Sequence, residues 1–290
     1  MTIALVTAAA AVGLDEDLPL LLDELGGDAV AVNWDDPEAD WATFDLAVIR
    51  STWDYTTRRE EFLGWARRVG RLTRLEHPPE VLFWNTDKRY LADLADAGVR
   101  IVPTAFVAPG EDASFPEGEF VVKPTVGAGS RDAARFGPDE HPQARAHLDR
   151  LLAEGRHVMV QPYLSQVDEV GEAAVVCFDG KVSHAITKAA LLRPGEPASR
   201  ALFAPERIVP RDPTDDEIAA SLEVIEVLGR LDGVGAALGP PLYARVDLLR
   251  TEDGGLAVLE VELTEPSLFF DRAPGSARRF ADAIRRRVSP

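Results

Sequence analysis

The stretch "LYARVDLLRTEDGGLAVLEVEL", Leu242 to Leu263, constrains the fold more than any other part of the chain. Two apolar runs flank a turn rich in Asp and Gly, which is the pattern of an antiparallel hairpin. Asp247 lies on the first strand, and Glu260 and Glu262 lie on the second. Residues two apart on a strand share a face. The two glutamates therefore point together, with Leu259, Val261 and Leu263 expected on the opposite face. Neighbouring carboxylates on an apolar hairpin repel and resist desolvation unless a cation sits between them. Three hard oxygen donors suit Mg²⁺ bridging nucleotide phosphates. The structural alternative is a solvent-facing polar stripe on an edge hairpin.

A second stretch, "VVKPTVGAGSRDAARF" from Val121 to Phe136, sets Lys123 at the end of an apolar strand. Gly127 and Gly129, with Ser130, allow positive φ, and their N–H groups can converge on an anion. With Arg131 the group suits a phosphate. The alternative is a solvated lysine followed by an ordinary hairpin turn.

The first eighty or so residues alternate short apolar runs ("IALVTA", "DAVAVNW", "FDLAVIRS") with helical patterns ("DLPLLLDELGG", "RREEFLGWARRVG"). That alternation predicts an α/β domain with a parallel sheet. Ligands gather beyond the carboxyl ends of such strands, which places "RSTWDY", Arg50 to Tyr55, at the mouth of the domain. Pro78 and Pro79 mark a linker, and Thr86 is placed to cap a helix that starts near Asp87 and ends at Gly98. Strands follow at "RIVPTAFV", "GEFVVKPT" and "RHVMVQPYL", with a helix over "HPQARAHLDRLLAEG". "GEAAVVCFDGKVSHAITKAA" is a hairpin turning at Asp179-Gly180. A proline-rich loop, a helix near "TDDEIAASLEVIEVLGRL", the carboxylate hairpin and a last helix, "GSARRFADAIRRR", complete the chain.

The 290 residues carry a formal net charge of −18. That charge argues against a nucleic-acid backbone or an anionic membrane surface as partner, and leaves room for a local basic pocket. The single cysteine, Cys177, excludes an internal disulfide and reads as a buried small hydrophobe. The apolar N-terminus lacks the positive region of a signal peptide and breaks at Gly13, so a first strand is expected. No uninterrupted apolar run reaches the roughly 18 residues of a membrane span, and a cytoplasmic protein is expected. The five histidines show no metal-ligand spacing, and His184 reads as packed or hydrogen-bonded.

Taken in order, Lys88, Lys123 with its glycine-rich loop, "VQPYL", Glu172, Lys188, and Asp247 with Glu260 and Glu262 resemble the ATP-grasp ligases, especially the branch near glutathione synthetase. The resemblance implies an ATP-grasp fold over about 81–290, with a central nucleotide-binding part near 100–165 and a C-terminal part near 166–290. A Rossmann-like pre-ATP-grasp α/β domain over 1–80 would precede it. It further implies ATP and Mg²⁺ as cofactors, with Lys88 and Lys123 on the phosphates under a flap made by "GAGSR". Gln161, Tyr163 and Leu164 would receive adenine, Asp168 or Glu169 the ribose. Glu172 resembles the acid of the family's "GE" motif, and Asp247, Glu260 and Glu262 resemble its magnesium ligands.

Glu262 stands where most members carry asparagine, and "TEPSLFF" replaces a loop of small residues. "RSTWDY", "DGKVSHAITK" and "EVELTEPSLFF" are similar to the actinobacterial D-cycloserine synthase group, which closes O-ureidoserine into a ring using ATP. The resemblance implies a carboxylate activated as an acylphosphate for attack by a nitrogen nucleophile. Lys188, Arg245 and Arg50 are the candidate catalytic groups. Arg50, Ser51, Trp53, Tyr55, Arg193 and Ser267 are the candidate contacts to a small amino-acid-like substrate, and Arg50 is chosen to grip its carboxylate. A homodimer is compatible with this reading. Intermolecular peptide-type ligation, a kinase stopping at the phosphorylated carboxylate, and a non-catalytic nucleotide-binding module are the competing readings.

Overall fold

The computed structural model describes residues 2–193, 195, 196, 198 and 207–288, and three sheets organise them. The first is parallel, with β1 (Ile3–Thr7), β2 (Ala29–Asn33), β3 (Leu46–Ser51) and β4 (Arg74–Glu76) in the order β2-β1-β3-β4. Strands β1 and β3 are apolar along most of their length because both faces of the sheet are covered. Helices α1 (Asp17–Leu25) and α2 (Arg59–Val69) supply part of that cover.

The prolines expected as a linker do something else. Pro79 opens helix α3 (Pro79–Asn85), a position where the missing N–H costs nothing. Thr86 closes that helix rather than capping the next, its hydroxyl donating to the Leu82 carbonyl at 2.7 Å. Helix α4 (Tyr90–Asp96) follows.

The second sheet is antiparallel, with β5 (Ala105–Val107), β6 (Phe120–Pro124), β7 (Ala134–Phe136) and β8 (Val158–Pro162) in the order β5-β8-β6-β7. Helix α5 (His141–Ala153) packs on it through Ala144, Leu148 and Leu151. Strand β7 escapes a sequence reading because its three residues emerge straight from the glycine-rich loop.

After the short helix α6 (Gln166–Val170) comes the third sheet: β9 (Glu172–Phe178), β10 (Lys181–Lys188), β11 (Ile208–Arg211), β12 (Tyr243–Arg250) and β13 (Leu256–Glu262). It is antiparallel, in the order β11-β10-β9-β12-β13. Asp179 and Gly180 both take positive φ, 50° and 70°, as a two-residue hairpin turn requires. Helix α7 (Asp215–Leu228) begins in a reciprocal Thr214–Glu217 cap, and α8 (Gly235–Leu238) follows. Part of the expected proline-rich loop after Lys188 lies outside the described residues.

The last helix, α9 (Ser276–Val288), returns to the first sheet. Its Phe280 and Ile284 join Ile3, Leu5, Leu46, Val176 and Tyr243 in one core. Residues from both ends of the chain therefore share that core. Among the described residues no helix is long and apolar enough to cross a membrane.

Candidate active site

A cavity of about 180 Å³ opens between the second and third sheets. Lys123 reaches it from the end of β6, and Gly127, Gly129, Ser130 and Arg131 border it from the loop that follows. Gln161, Tyr163 and Leu164 line it at the end of β8, with Val102, Val121 and Leu249 as apolar wall. The third sheet contributes Glu172, Lys188, Arg245, Asp247, Glu260 and Glu262, and Lys88 completes the charged end. Gly171 lets the chain enter β9 there: at φ 78°, a Cβ would sit 2.6 Å from the Lys188 carbonyl oxygen.

The carboxylates come with their own cations. Asp247 stands opposite Glu260, and Arg245 opposite Glu262, in the β12–β13 ladder. Arg245 donates to both oxygens of Asp247 at 2.8 Å and also to Glu262. Lys188 bonds Asp247 at 2.8 Å and pairs with Glu172. Lys88 lies 2.7 Å from Glu260 and donates to the Gly127 carbonyl at 2.6 Å, which ties the glycine-rich loop to β13. The repulsion expected between bare carboxylates is thus answered by interleaved lysine and arginine.

Burial pushes the Asp247 carboxyl up, but Arg245 and Lys188 outweigh it and hold the group well below the usual range. Glu260 is likewise held low by Lys88 and Lys123 against its burial. Burial prevails at Glu172 and Glu262, each pushed up to about 7 against Lys188 and Arg245 respectively. Lys123 differs from Lys88, Lys188 and Arg245: the described residues give it no hydrogen bond or ion pair. Burial pulls its ammonium below the ordinary lysine range, with Glu260 opposing. A desolvated ammonium that faces a cavity and forms no ion pair with the described residues is suited to an incoming anion.

Among the described residues, no three acidic, histidine or cysteine side chains form a ready-made metal cage. The fit to Mg²⁺ rests on Glu260 and Glu262, which border the cavity with one oxygen of each taken by Lys88 and Arg245. Magnesium is commonly held by one or two carboxylates together with substrate phosphates, and this pair fits that mode. Asp247, 1% exposed, stands behind them with both oxygens engaged.

Other expected residues lie elsewhere. Arg50 is 2% exposed and donates to the Pro266 carbonyl at 2.8 Å and to the Ile49 carbonyl at 3.3 Å. It packs over the Tyr243 and Phe280 rings and clamps two parts of the fold, and it is absent from the cavity wall. Ser51 shares a 2.7 Å hydrogen bond with Thr7, and Trp53 donates to the Glu265 carbonyl at 3.0 Å. Tyr55 stacks on Phe62, and its hydroxyl bonds the Glu265 side chain. Ser267 meets the site through its carbonyl, which accepts from Arg245 at 3.2 Å. Arg193 is exposed, 3.8 Å from Glu196. Asp168 accepts from Tyr163 and Arg135 and is absent from the cavity wall. Glu169 is exposed.

Leu259, expected on the far face of β13, lines the cavity beside Glu260. A register shift between Asp247 and Leu248 leaves Leu259 unpaired and turns it toward the site. Glu265 was not singled out from sequence. It is 7% exposed, and burial, with Glu262 adding, pushes its carboxyl up to about 8. Its only sequence signal was an acid in place of a small residue in "TEPSLFF". Cys177 and His184 are buried; burial pushes the thiol up to about 12 and the imidazole down to about 4.

The backbone superimposes on a D-alanine–D-alanine ligase from Bacillus anthracis solved with ATP, with a TM-score of 0.69 at 16% identity over 99% of this chain and 97% of that one. The fold is that of the ATP-grasp ligases. A family model described as the N-terminal domain of D-cycloserine synthetase DcsG matches residues 3–77. The cycloserine biosynthesis protein DcsG of Streptomyces lavendulae is 40% identical over 301 residues, covering 99% of each chain. A crystal structure of D-cycloserine synthetase DcsG matches with a TM-score of 0.91 at 39% identity over the whole of both chains. The chain belongs to the DcsG family.

Proposed function

We propose that this ligase closes a small ureido amino acid into a ring, the O-ureidoserine cyclisation that yields D-cycloserine. Similarity to a D-cycloserine synthetase along the full chain supports this reading. The observation that carries the chemistry is Lys123, an ammonium with no hydrogen bond or ion pair among the described residues, facing the glycine-rich loop and the carboxylates of β12 and β13.

ATP phosphates would lie between Lys123 and the N–H groups of the loop, with adenine against Tyr163 and Leu164. An oxygen of the substrate carboxylate attacks the γ-phosphorus and ADP leaves, which gives the acylphosphate. A nitrogen of the same molecule then attacks the carbonyl carbon, loses its proton, and displaces inorganic phosphate. Hydrolysis removes the carbamoyl group of the ureido nitrogen as carbon dioxide and ammonia, which leaves the cycloserine ring. Arg245 and Lys188, locked by Asp247, supply positive charge that needs no reorganisation as the phosphoryl group moves. Glu260 and Glu262 would hold Mg²⁺, with Asp247 behind them, engaged by Arg245 and Lys188. When bound, the ion neutralises charge on the phosphate oxygens. Use of ATP supports a cytoplasmic location.

One observation favours intermolecular ligation instead. A further cleft of about 840 Å³ shares Pro124, Gly127 and Arg131 with the nucleotide cavity and offers room for a second substrate. ADP release with O-ureidoserine alone, accompanied by the cyclic product on mass spectrometry, is the expected result. Turnover that starts only when a second amine is added would overturn ring closure. Loss of ATP binding in Lys123→Ala, with the fold intact, is expected to be on the order of 10–100-fold for one charge-assisted contact.

A further inference from the structure

We propose that Arg135 is a positioning residue for the nucleotide, joining the strand after the glycine-rich loop to the segment that receives adenine. The inference rests on the ATP reading above and concerns a residue outside the cavity wall.

Arg135 sits on β7, paired with Val121 of β6, which is paired in turn with Gln161 of β8. Its guanidinium carbon lies 3.5 Å from the centroid of the Tyr163 ring. One terminal nitrogen donates to Glu119 at 2.7 Å, and the other to Asp168 at 3.1 Å and to the Leu192 carbonyl at 3.4 Å. Tyr163 is held from three sides: its ring by Arg135, its amide by the Glu119 carbonyl at 2.8 Å, and its hydroxyl by Asp168 at 2.6 Å. Tyr163 and Leu192 border the nucleotide cavity, and Arg135 reaches the nucleotide only through them.

Three segments meet on this one side chain: the strand leaving the loop, the end of β8, and the loop after β10. Only a planar cation with several donors can stack on a ring and pair with two carboxylates at once. The arrangement is not needed to neutralise buried charge, since the side chains of Glu119 and Asp168 are 34% and 42% exposed. Its removal therefore leaves no stranded carboxylate in the core. What it fixes is the orientation of Tyr163 relative to the loop that closes over the phosphates.

The test compares wild type, Arg135→Met and Arg135→Lys by calorimetric titration with Mg²⁺·ATP and by steady-state ADP release. Arg135→Met is expected to weaken ATP binding about tenfold, the scale of ordering a freed Tyr163 and its segment when the nucleotide binds. It should leave kcat and the KM of the carboxylate substrate within about twofold, with nucleotide-free melting lowered by about 2–4 °C, the scale of one cation–ring contact. Arg135→Lys should not rescue, because an ammonium keeps the charge but loses the plane and the fork. ATP binding by Arg135→Met equal to wild type overturns the proposal. So does a parallel loss of kcat, both KM values and nucleotide-free stability, or full rescue by lysine. Glu119→Gln, at a half-buried position outside the cavity, loosens the same guanidinium and should weaken ATP binding several-fold. If Arg135→Met does not fold, unchanged ATP affinity in Glu119→Gln overturns the proposal. A wild type that binds no ATP overturns the nucleotide reading as well, which separates the two failures.

Discussion

Asp17 and Phe270 stand 253 positions apart, yet the Asp17 carboxylate accepts the Phe270 amide at 2.7 Å. The same carboxylate takes the amides of Leu268 and Phe269, the latter at a φ of 54°. Helix α1, packed on the first sheet, thereby fixes the loop that sets Ser267 against Arg245 and carries Glu265. Arg50 and Trp53 hold the same loop by the carbonyls of Pro266 and Glu265.

Asp17→Ala strands three buried amides and should cost about 3 kcal/mol of stability. Urea unfolding measures the loss. The displaced loop should raise the KM of the carboxylate substrate more than that of ATP. Stability within a few tenths of wild type would show that the loop holds itself.

Arg50→Ala should act on the fold before the substrate. The residue is buried between two rings and bonds two carbonyls, so its loss should destabilise by roughly 2–4 kcal/mol. Above the melting range nothing remains to assay, but at low temperature the KM values for ATP and substrate should change by similar factors. A large rise confined to the substrate KM would return Arg50 to the role expected from sequence.

Glu260→Gln separates a metal ligand from a solvated stripe. Taken alone, the sequence suggests that removing one repelling charge spares the apo protein. The 2.7 Å pair with Lys88 reverses that expectation, because the variant leaves a lysine that is 8% exposed without its carboxylate. A loss of about 2 kcal/mol is expected in the apo protein. Wild type should gain about 2.7 kcal/mol from Mg²⁺·ATP at a hundredfold excess over Kd, and the variant much less. Equal nucleotide-induced shifts in both proteins would remove Glu260 from the metal site.

Glu265 should make stability depend on pH. Its folded-state carboxyl is raised to about 8 from an ordinary value of 4.5. The protonated form is therefore favoured by folding, and its contribution is complete below about pH 4.5 and is lost as pH rises through 8. His77 and His184, each pushed down to about 4 by burial, act with the opposite sign, losing stability as pH falls below about 6.5. Melting temperatures from about pH 6.5 upward isolate the carboxyl effect. Wild type should lose stability over that range more steeply than Glu265→Gln. Glu172 and Glu262, raised to about 7, keep a residual slope in both. Parallel curves would show that Glu265 does not titrate there.

The parts legible in the sequence were those decided by near neighbours. The Asp179-Gly180 turn, the helical stripes and the shared face of Glu260 and Glu262 follow from turn chemistry and side-chain period. The order of Lys88, Lys123, Glu172, Lys188 and the hairpin acids was enough to assign the ligase fold. Strand β7 was not legible, because three residues beside a glycine-rich loop carry no period to read. Nor was the turning of Leu259 into the cavity, since a one-residue register shift is settled between strands rather than along one.

The sequence by itself determined which residues carry charge into the site and the strands that present them. The tertiary structure decided which cation each carboxylate meets: Lys88 with Glu260, Arg245 with Asp247 and Glu262, Lys188 with Glu172, and Lys123 with none of the described residues. It also made Arg50 a clamp and brought Glu265 beside Tyr55. The physical reason is that desolvation and ion pairing act through space. They depend on which distant segments the core brings together, and side chains adjacent in sequence do not specify that.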